Sequence, residues 1–385
     1  MAPIYKTPGV YRQEIFLKPE TRLPTGVPGF VGFADEGPPP GGPAFNTPVA
    51  LHRKEEFAAH FGSRPESYLG DAVNGFFDNG GVRCYVVRAD LSGERAMALQ
   101  NALVALAPLT DLDLIAVPDA MSLRQTNGQA DVTAIVRVQQ HMLTHCAVQG
   151  DRLAILDALP EATPAGVVEQ RDRLTTGQAE PVNGALYHPW LRTVGGRPVP
   201  PCGHVAGIFA RSDTRVGVFK APANEEIFGV LDLETSIDNS IQDQLNPEGV
   251  NCLRVFPGRG IRVWGARTLS RDPHWRYVSV RRLFLTLRRW IDLNMAWATF
   301  EPNALPLWVR IQRELTTYLT TLLRAGALQG ATPAQAFYVK CDAETNPPDL
   351  REAGQVVIEI GLAPLAPAEF IVVRIIQRAG TTDVS

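Results

Sequence analysis

The stretch YLGDAVNGFFDNGGVRCYVVRA, from Tyr68 to Ala89, sets the reading of the fold. Its first part, near 67 to 78, reads as a helix, and CYVVRA at 84 to 89 is a short apolar run of strand type. The alternation continues in both directions. GFVGFA begins at Gly29, and LDLIAVPD at 112 to 119, RLAILDA at 152 to 158 and GALYHPWL at 184 to 191 follow. Helix-like segments near 94 to 106, 129 to 148 and 164 to 175 lie between them. This spacing predicts an α/β domain with a largely parallel sheet over residues 29 to 250. Its last part, about 192 to 250, reads as loop-rich, with prolines at 198, 200, 201 and 222.

Both flanks differ from this pattern. Residues 1 to 28 hold prolines at 3, 8, 19, 24 and 28, spaced so that no helix runs through them, which predicts an extended arm. After Asn251 come strand runs NCLRVF and IRVWGARTL, two long helices and further strands, an α+β order over 251 to 385. The first helix is expected from Tyr277 to Phe300, with Val280, Leu283, Phe284, Leu287 and Ile291 on one side and Arg281, Arg282, Arg288 and Arg289 on the other. The second runs from about Leu307 to Arg324 and ends at Gly326, a left-handed cap. Two β-branched runs close the chain, QVVIEIGL at 355 to 362 and EFIVVRIIQ at 369 to 377. Strands and extended arms at the chain ends leave edges that must pair, within the chain or in a neighbour.

Composition bounds the function. The 385 residues are 45% hydrophobic and 20% charged, enough for about two folded domains and too apolar for a disordered chain. No apolar run approaches the ~18 residues of a membrane span, and MAPIYKTPGVYR lacks a signal-peptide core, so folding in the cytoplasm without membrane insertion is expected. The net charge of −3 excludes a generally basic nucleic-acid coat, yet residues 251 to 300 carry ten Arg against Asp272 and Asp292. Docking of this basic island to an acidic protein surface is preferred over nucleic acid, because Trp290 falls on the apolar helix face. Cys84, Cys146, Cys202, Cys252 and Cys341 form no C-x-x-C pair and are expected as reduced, mostly buried thiols.

A search for catalytic groups assembles nothing. Gly is never followed by Lys, so there is no phosphate loop, and no G-x-S-x-G elbow occurs. GRGIRVWG from Gly258 offers G-x-G but continues as strand rather than helix. His141 and His145 are four apart on a helix and could share a face as metal ligands, but Met142 stands where a zincin Glu would be and no third ligand is near. Asp119 ends a strand where α/β folds place ligands. An α/β enzyme or ligand-binding protein with a site near His141, His145 and Asp119 is therefore the competing class. No cofactor or metal is expected.

Many segments, in order, resemble the contractile tail sheath proteins of phages and phage-tail-like injection particles. They include YKTPGVY from Tyr5, TGVPGFVGFA at 25 to 34, Tyr68 to Arg88, PPCGHVAGIFARSD at 200 to 213 and GVFKAPANE at 217 to 225. LNPEGVN at 245 to 251, RVWGARTL at 262 to 269, YVSVRRLF at 277 to 284, FEPN at 300 to 303, CDAETNPP at 341 to 348 and APAEFI at 366 to 371 follow. The resemblance implies an α/β outer domain and an α+β inner domain built from both chain ends. It implies a structural subunit that polymerises around an inner tube, with other copies of itself, tube, baseplate and terminal cap proteins, and sheath paralogues, as partners. Arms that add strands to neighbours would involve Tyr5, Val10, Tyr11, Ile358, Ile360, Phe370, Val372 and Ile376. The helix at 277 to 300 would face the tube through Arg281, Arg282, Arg288 and Arg289.

Overall fold

The computed structural model describes residues 23–35, 45–62 and 64–369. Its strands are β1 (Pro28–Gly32), β2 (Pro48–Leu51), β3 (Cys84–Arg88), β4 (Leu114–Ala116), β5 (Leu153–Asp157), β6 (Gly184–His188), β7 (Leu191–Thr193), β8 (Pro198–Val199), β9 (Glu225–Glu226), β10 (Val230–Leu233), β11 (Val250–Phe256), β12 (Gly260–Trp264), β13 (Phe337–Lys340) and β14 (Glu359–Leu362). Its helices are α1 (Lys54–Phe61), α2 (Leu69–Asp78), α3 (Arg95–Val104), α4 (Val132–Gln149), α5 (Pro164–Thr175), α6 (Cys202–Arg215), α7 (Asn239–Leu245), α8 (Val278–Asn294), α9 (Leu305–Arg324), α10 (Pro333–Ala336) and α11 (Pro348–Glu352).

Nine strands form one sheet in the order β2-β3-β1-β4-β5-β6-β11-β12-β9. The six from β3 to β11 are parallel, and antiparallel strands close both edges. All five residues of β1 are buried, as a strand covered on both faces requires. Phe30 meets Phe76 of α2 edge-on, with ring centroids 5.8 Å apart, whereas a Cβ on the neighbouring Gly29 would collide with Leu106 just beyond α3. Successive residues of β1 thus point to different helix layers, α2 with α6 on one side and α3, α4 and α5 on the other.

The α2–α6 pair corrects one expectation. The region 192 to 250 is not mainly loop: it holds α6, whose residues are buried over most of their length, as well as α7 and four short strands. Its mixture of His204, Arg211 and Asp213 with glycines hides the helix from a periodicity reading. The glycines are what permit it, since a Cβ on Gly203 or Gly207 would lie 2.2 Å from Ala72 O or 2.4 Å from Phe76 O of α2.

The boundary expected at residue 250 also moves. β11 pairs with β6 through Val250, Asn251 and Cys252, and β12 pairs with β11, so the runs NCLRVF and IRVW belong to the large sheet. The α+β unit begins with α8. There α9 packs on the antiparallel hairpin β13–β14, and two small apolar clusters form around Leu283, Leu287, Leu319 and Phe337 and around Leu307, Trp308, Ile311 and Leu315. All five cysteines are free and buried.

Candidate functional site

α8 joins the two units, and its amphipathic sequence is used on both faces. Leu283 and Leu287 bury against the apolar cluster of α9. The arginine face turns to the N-terminal ends of the parallel strands. Arg282, 2% exposed, donates through Nη1 and Nη2 to Asp213 at 2.7 and 2.5 Å and through Nη2 to Asp113 at 2.7 Å. Asp113 directly precedes β4 and also accepts from the backbone N–H groups of Gly26 and Val27, at 3.1 and 2.7 Å. Asp213 lies in the last turns of α6, within reach of the Thr25 hydroxyl. Burial works against the Arg282 charge, but the Asp213 and Asp113 carboxylates outweigh it and raise its pKa. Burial in turn pushes the Asp213 carboxyl up, opposed by Arg282.

The other arginines are spent nearby. Arg281 Nε donates to Asn183 Oδ1 at 2.6 Å, just before β6, and its guanidinium lies 4.8 Å from the Trp275 ring centroid; burial, and after it the charge of Arg288, lower its pKa to about 10. Arg289 is 4% exposed and reaches Thr110 O at 3.3 Å. Arg288 is exposed, in loose i,i+4 contact with Asp292 at 4.0 Å, and it lies over Gly150, the left-handed cap of α4, where a cation complements the carbonyl end of the helix. The expectation of a four-arginine stripe open to an acidic partner is therefore corrected. Arg282 and Arg289 are interior, Arg281 is half-covered, and the acidic surface that α8 meets belongs to the same chain. An amphipathic pattern locates a polar face but does not reveal that the fold will cover it. Trp290, placed with the apolar face, stacks on Tyr318 at a centroid distance of 4.0 Å.

At the opposite ends of the strands, buried carboxylates also bind backbone. Asp119, fully buried beyond β4, accepts from Phe33 N at 2.6 Å, Tyr68 N at 2.5 Å and Ser67 Oγ at 2.6 Å. Burial raises its pKa to about 6 against those hydrogen bonds. Asp157 at the end of β5 accepts from Cys202 N at 2.8 Å, and burial raises it to about 7. These two residues secure the first turns of α2 and α6; beside them, at the β1 end where the strand order reverses, a cavity of about 330 Å³ is lined by residues that include Phe33, Ser67, Asp71 and Arg197.

His141, His145 and Asp119 are not brought together. His145 Nε2 lies 3.4 Å from Arg152 Nη1 next to β5's first residue, at the other end of the sheet from Asp119. Burial, followed by the Arg152 charge, lowers the pKa of His145 to about 4. Among the described residues no group of three or more His, Cys, Asp or Glu is placed to hold a metal.

Of the arm candidates, Ile358 and Ile360 are half-buried within the protomer, and Ile360 pairs with Val339 in the β13–β14 sheet. The strand expected from 355 is formed only from Glu359. Tyr5, Val10, Tyr11, Phe370, Val372 and Ile376 lie outside the described residues. Among the described residues this sheet has two strands, each with one side open.

Comparison with known proteins points one way. Residues 97–269 match the phage tail sheath protein central domain, and residues 270–378 match the phage tail sheath C-terminal domain. A putative prophage major tail sheath protein of Pseudomonas aeruginosa is 26% identical over 334 residues, covering 84% of each chain. A chain of the anti-feeding prophage baseplate superposes with a TM-score of 0.76 at 28% identity, covering 98% of this chain and all of its own length. The sheath of an extracellular contractile injection system, in its contracted state, superposes with a TM-score of 0.74 at 27% identity, covering 98% of this chain and 99% of that one.

Proposed function

The chain belongs to the family of phage tail sheath proteins, and we propose that it is the subunit of a contractile sheath that polymerises around an inner tube and shortens to drive the tube through a target envelope. One observation supports this reading beyond the family itself: the two-stranded hairpin β13–β14 offers open edges in a chain whose two ends are rich in extended, strand-type sequence. A sheet of two strands gains most from added strands. Main-chain pairing with the arm of a neighbouring copy would fix partners while letting the bodies reorient. The chain ahead of Gly26, whose N–H together with that of Val27 is already held by Asp113, and the segment beyond Glu369 supply those arms, and contraction is the release of a bistable lattice in which each protomer moves as a nearly rigid body.

The partners are other copies of the chain, the baseplate, an inner tube, a terminal cap and sheath paralogues, in a phage tail or an extracellular injection particle assembled in the bacterial cytoplasm. On α8, Arg288 is the charge left for an acidic tube. α9 adds Arg313 and Arg324, both exposed and without an ion-pair partner among the described residues. Solvent-exposed pairs of this kind hold register yet separate at small cost.

Negative-stain electron microscopy of the expressed protein tests the reading. Ordered hollow cylinders are expected; small monodisperse particles under all assembly conditions contradict it. Removing residues 1 to 20 or 366 to 385 should leave a folded monomer that forms no cylinders.

A further inference from the structure

The link between β12 and α8 carries an arginine whose partner is a hundred residues away. Arg267 is 8% exposed, and Asn251 fixes its backbone, accepting from Arg267 N at 2.7 Å and donating to Arg267 O at 2.8 Å. Its guanidinium donates to Asn246 O at 2.8 Å and engages both carboxylate oxygens of Glu369 through Nε and Nη2. This two-pronged geometry is the strong form of an arginine–carboxylate contact. Beside it opens a cavity of about 250 Å³ whose lining includes Arg171, Glu248, Arg271 and Arg276 together with Thr268 and Ser270. Arg171, 5% exposed, is already paired there, its Nη1 donating to Asp172 Oδ1 at 2.9 Å.

The path of the chain gives this pocket its meaning. After β14 the backbone stays on the C-terminal unit, where Gln329 N donates to Ala363 O at 2.8 Å. It then crosses to the large body within six residues and is pinned there at Glu369. We infer that Arg267, held in place by Asn251 and Asn246, is a carboxylate socket, that Glu369 is its ligand, and that the socket fixes the point from which the C-terminal segment is presented to a neighbouring copy. Tethering a segment at a fixed root raises its effective concentration at the neighbour's sheet edge and lowers the ordering entropy lost on pairing. The presentation rests on the sheath reading; the socket is a property of the single chain.

Hydrogen exchange on the full-length monomer, read alongside cylinder yield by electron microscopy, separates the two. Glu369→Gln should speed exchange of the amides in 363–369 by about tenfold, as expected for losing a charge-assisted pair, with β1 to β6 unchanged. It should also lower cylinder yield. The exchanged pair, Arg267→Glu with Glu369→Arg, should recover both relative to Glu369→Arg alone. Unchanged exchange at 363–369 in Glu369→Gln would overturn the socket. Faster exchange with full cylinder yield would overturn its role in presentation, while a wild type that forms no cylinders counts against the sheath reading and leaves the exchange result to decide the socket.

Discussion

The two ends of the parallel sheet use buried carboxylates for different tasks. At the C-terminal ends, Asp119 and Asp157 turn inward onto backbone N–H groups beyond β1 and at the starts of α2 and α6. At the N-terminal ends, Asp113 and Asp213 receive Arg282 of α8 and so join the α/β body to the unit that carries the β13–β14 hairpin. One end holds the starts of helices, and the opposite end forms a joint. A joint of paired charges is directional and leaves little freedom between the units.

The joint should be the more sensitive of the two ends. Arg282→Met leaves two carboxylates buried without their cation, and a loss of about 3–5 kcal/mol in chemical denaturation is expected. Adding Asp113→Asn and Asp213→Asn should return part of that loss; a triple variant no more stable than the single one would break the comparison. At the C-terminal ends, Asp119→Ala strands two backbone N–H groups and the Ser67 hydroxyl, with an expected loss of about 3 kcal/mol. If Arg282→Met costs less than Asp119→Ala, the joint is the weaker end.

Acid tests the C-terminal ends by sign. His188, at the end of β6, has no hydrogen-bond partner on either ring nitrogen, and burial lowers its pKa to about 4. The unfolded chain therefore binds its proton more readily, so the stability tied to neutral His188 is present above about pH 6.5 and lost as pH falls towards about 4. Asp119 and Asp157, raised to about 6 and about 7, work the other way, since the fold binds their protons more tightly and gains stability over the same fall. His188→Leu should remove one destabilising contribution, roughly 1–3 kcal/mol by pH 4, and flatten the acid limb of a denaturation-versus-pH curve. An unchanged limb would show that His188 does not titrate in this window. The smallest effect is expected from Arg288→Ala: exposed, with a loose pair and a helix end to complement, it should change stability by no more than about 0.5 kcal/mol. A larger loss would place Arg288 in the joint as well.

Much of this was legible residue by residue. The runs at 84 to 88, 153 to 157 and 184 to 188 are strands because each is a short apolar segment bounded by turn residues, and a strand covered on both faces needs nothing else. α4, α5, α8 and α9 follow from their apolar periodicity. α6 escaped because its burial depends on glycines that let another backbone approach, a fact about α2 as much as about α6.

What the sequence by itself determined is therefore the α/β alternation, the separate character of the chain ends, the family, and the amphipathic nature of α8. Only the tertiary structure decided where α8's arginines go, that the large sheet continues through β12, and that Asp119 and His145 belong to opposite ends of it. Periodicity is a property of one segment, whereas the fate of a charge depends on which distant carboxylates the fold brings to it, here Asp113 and Asp213, 169 and 69 residues away from Arg282.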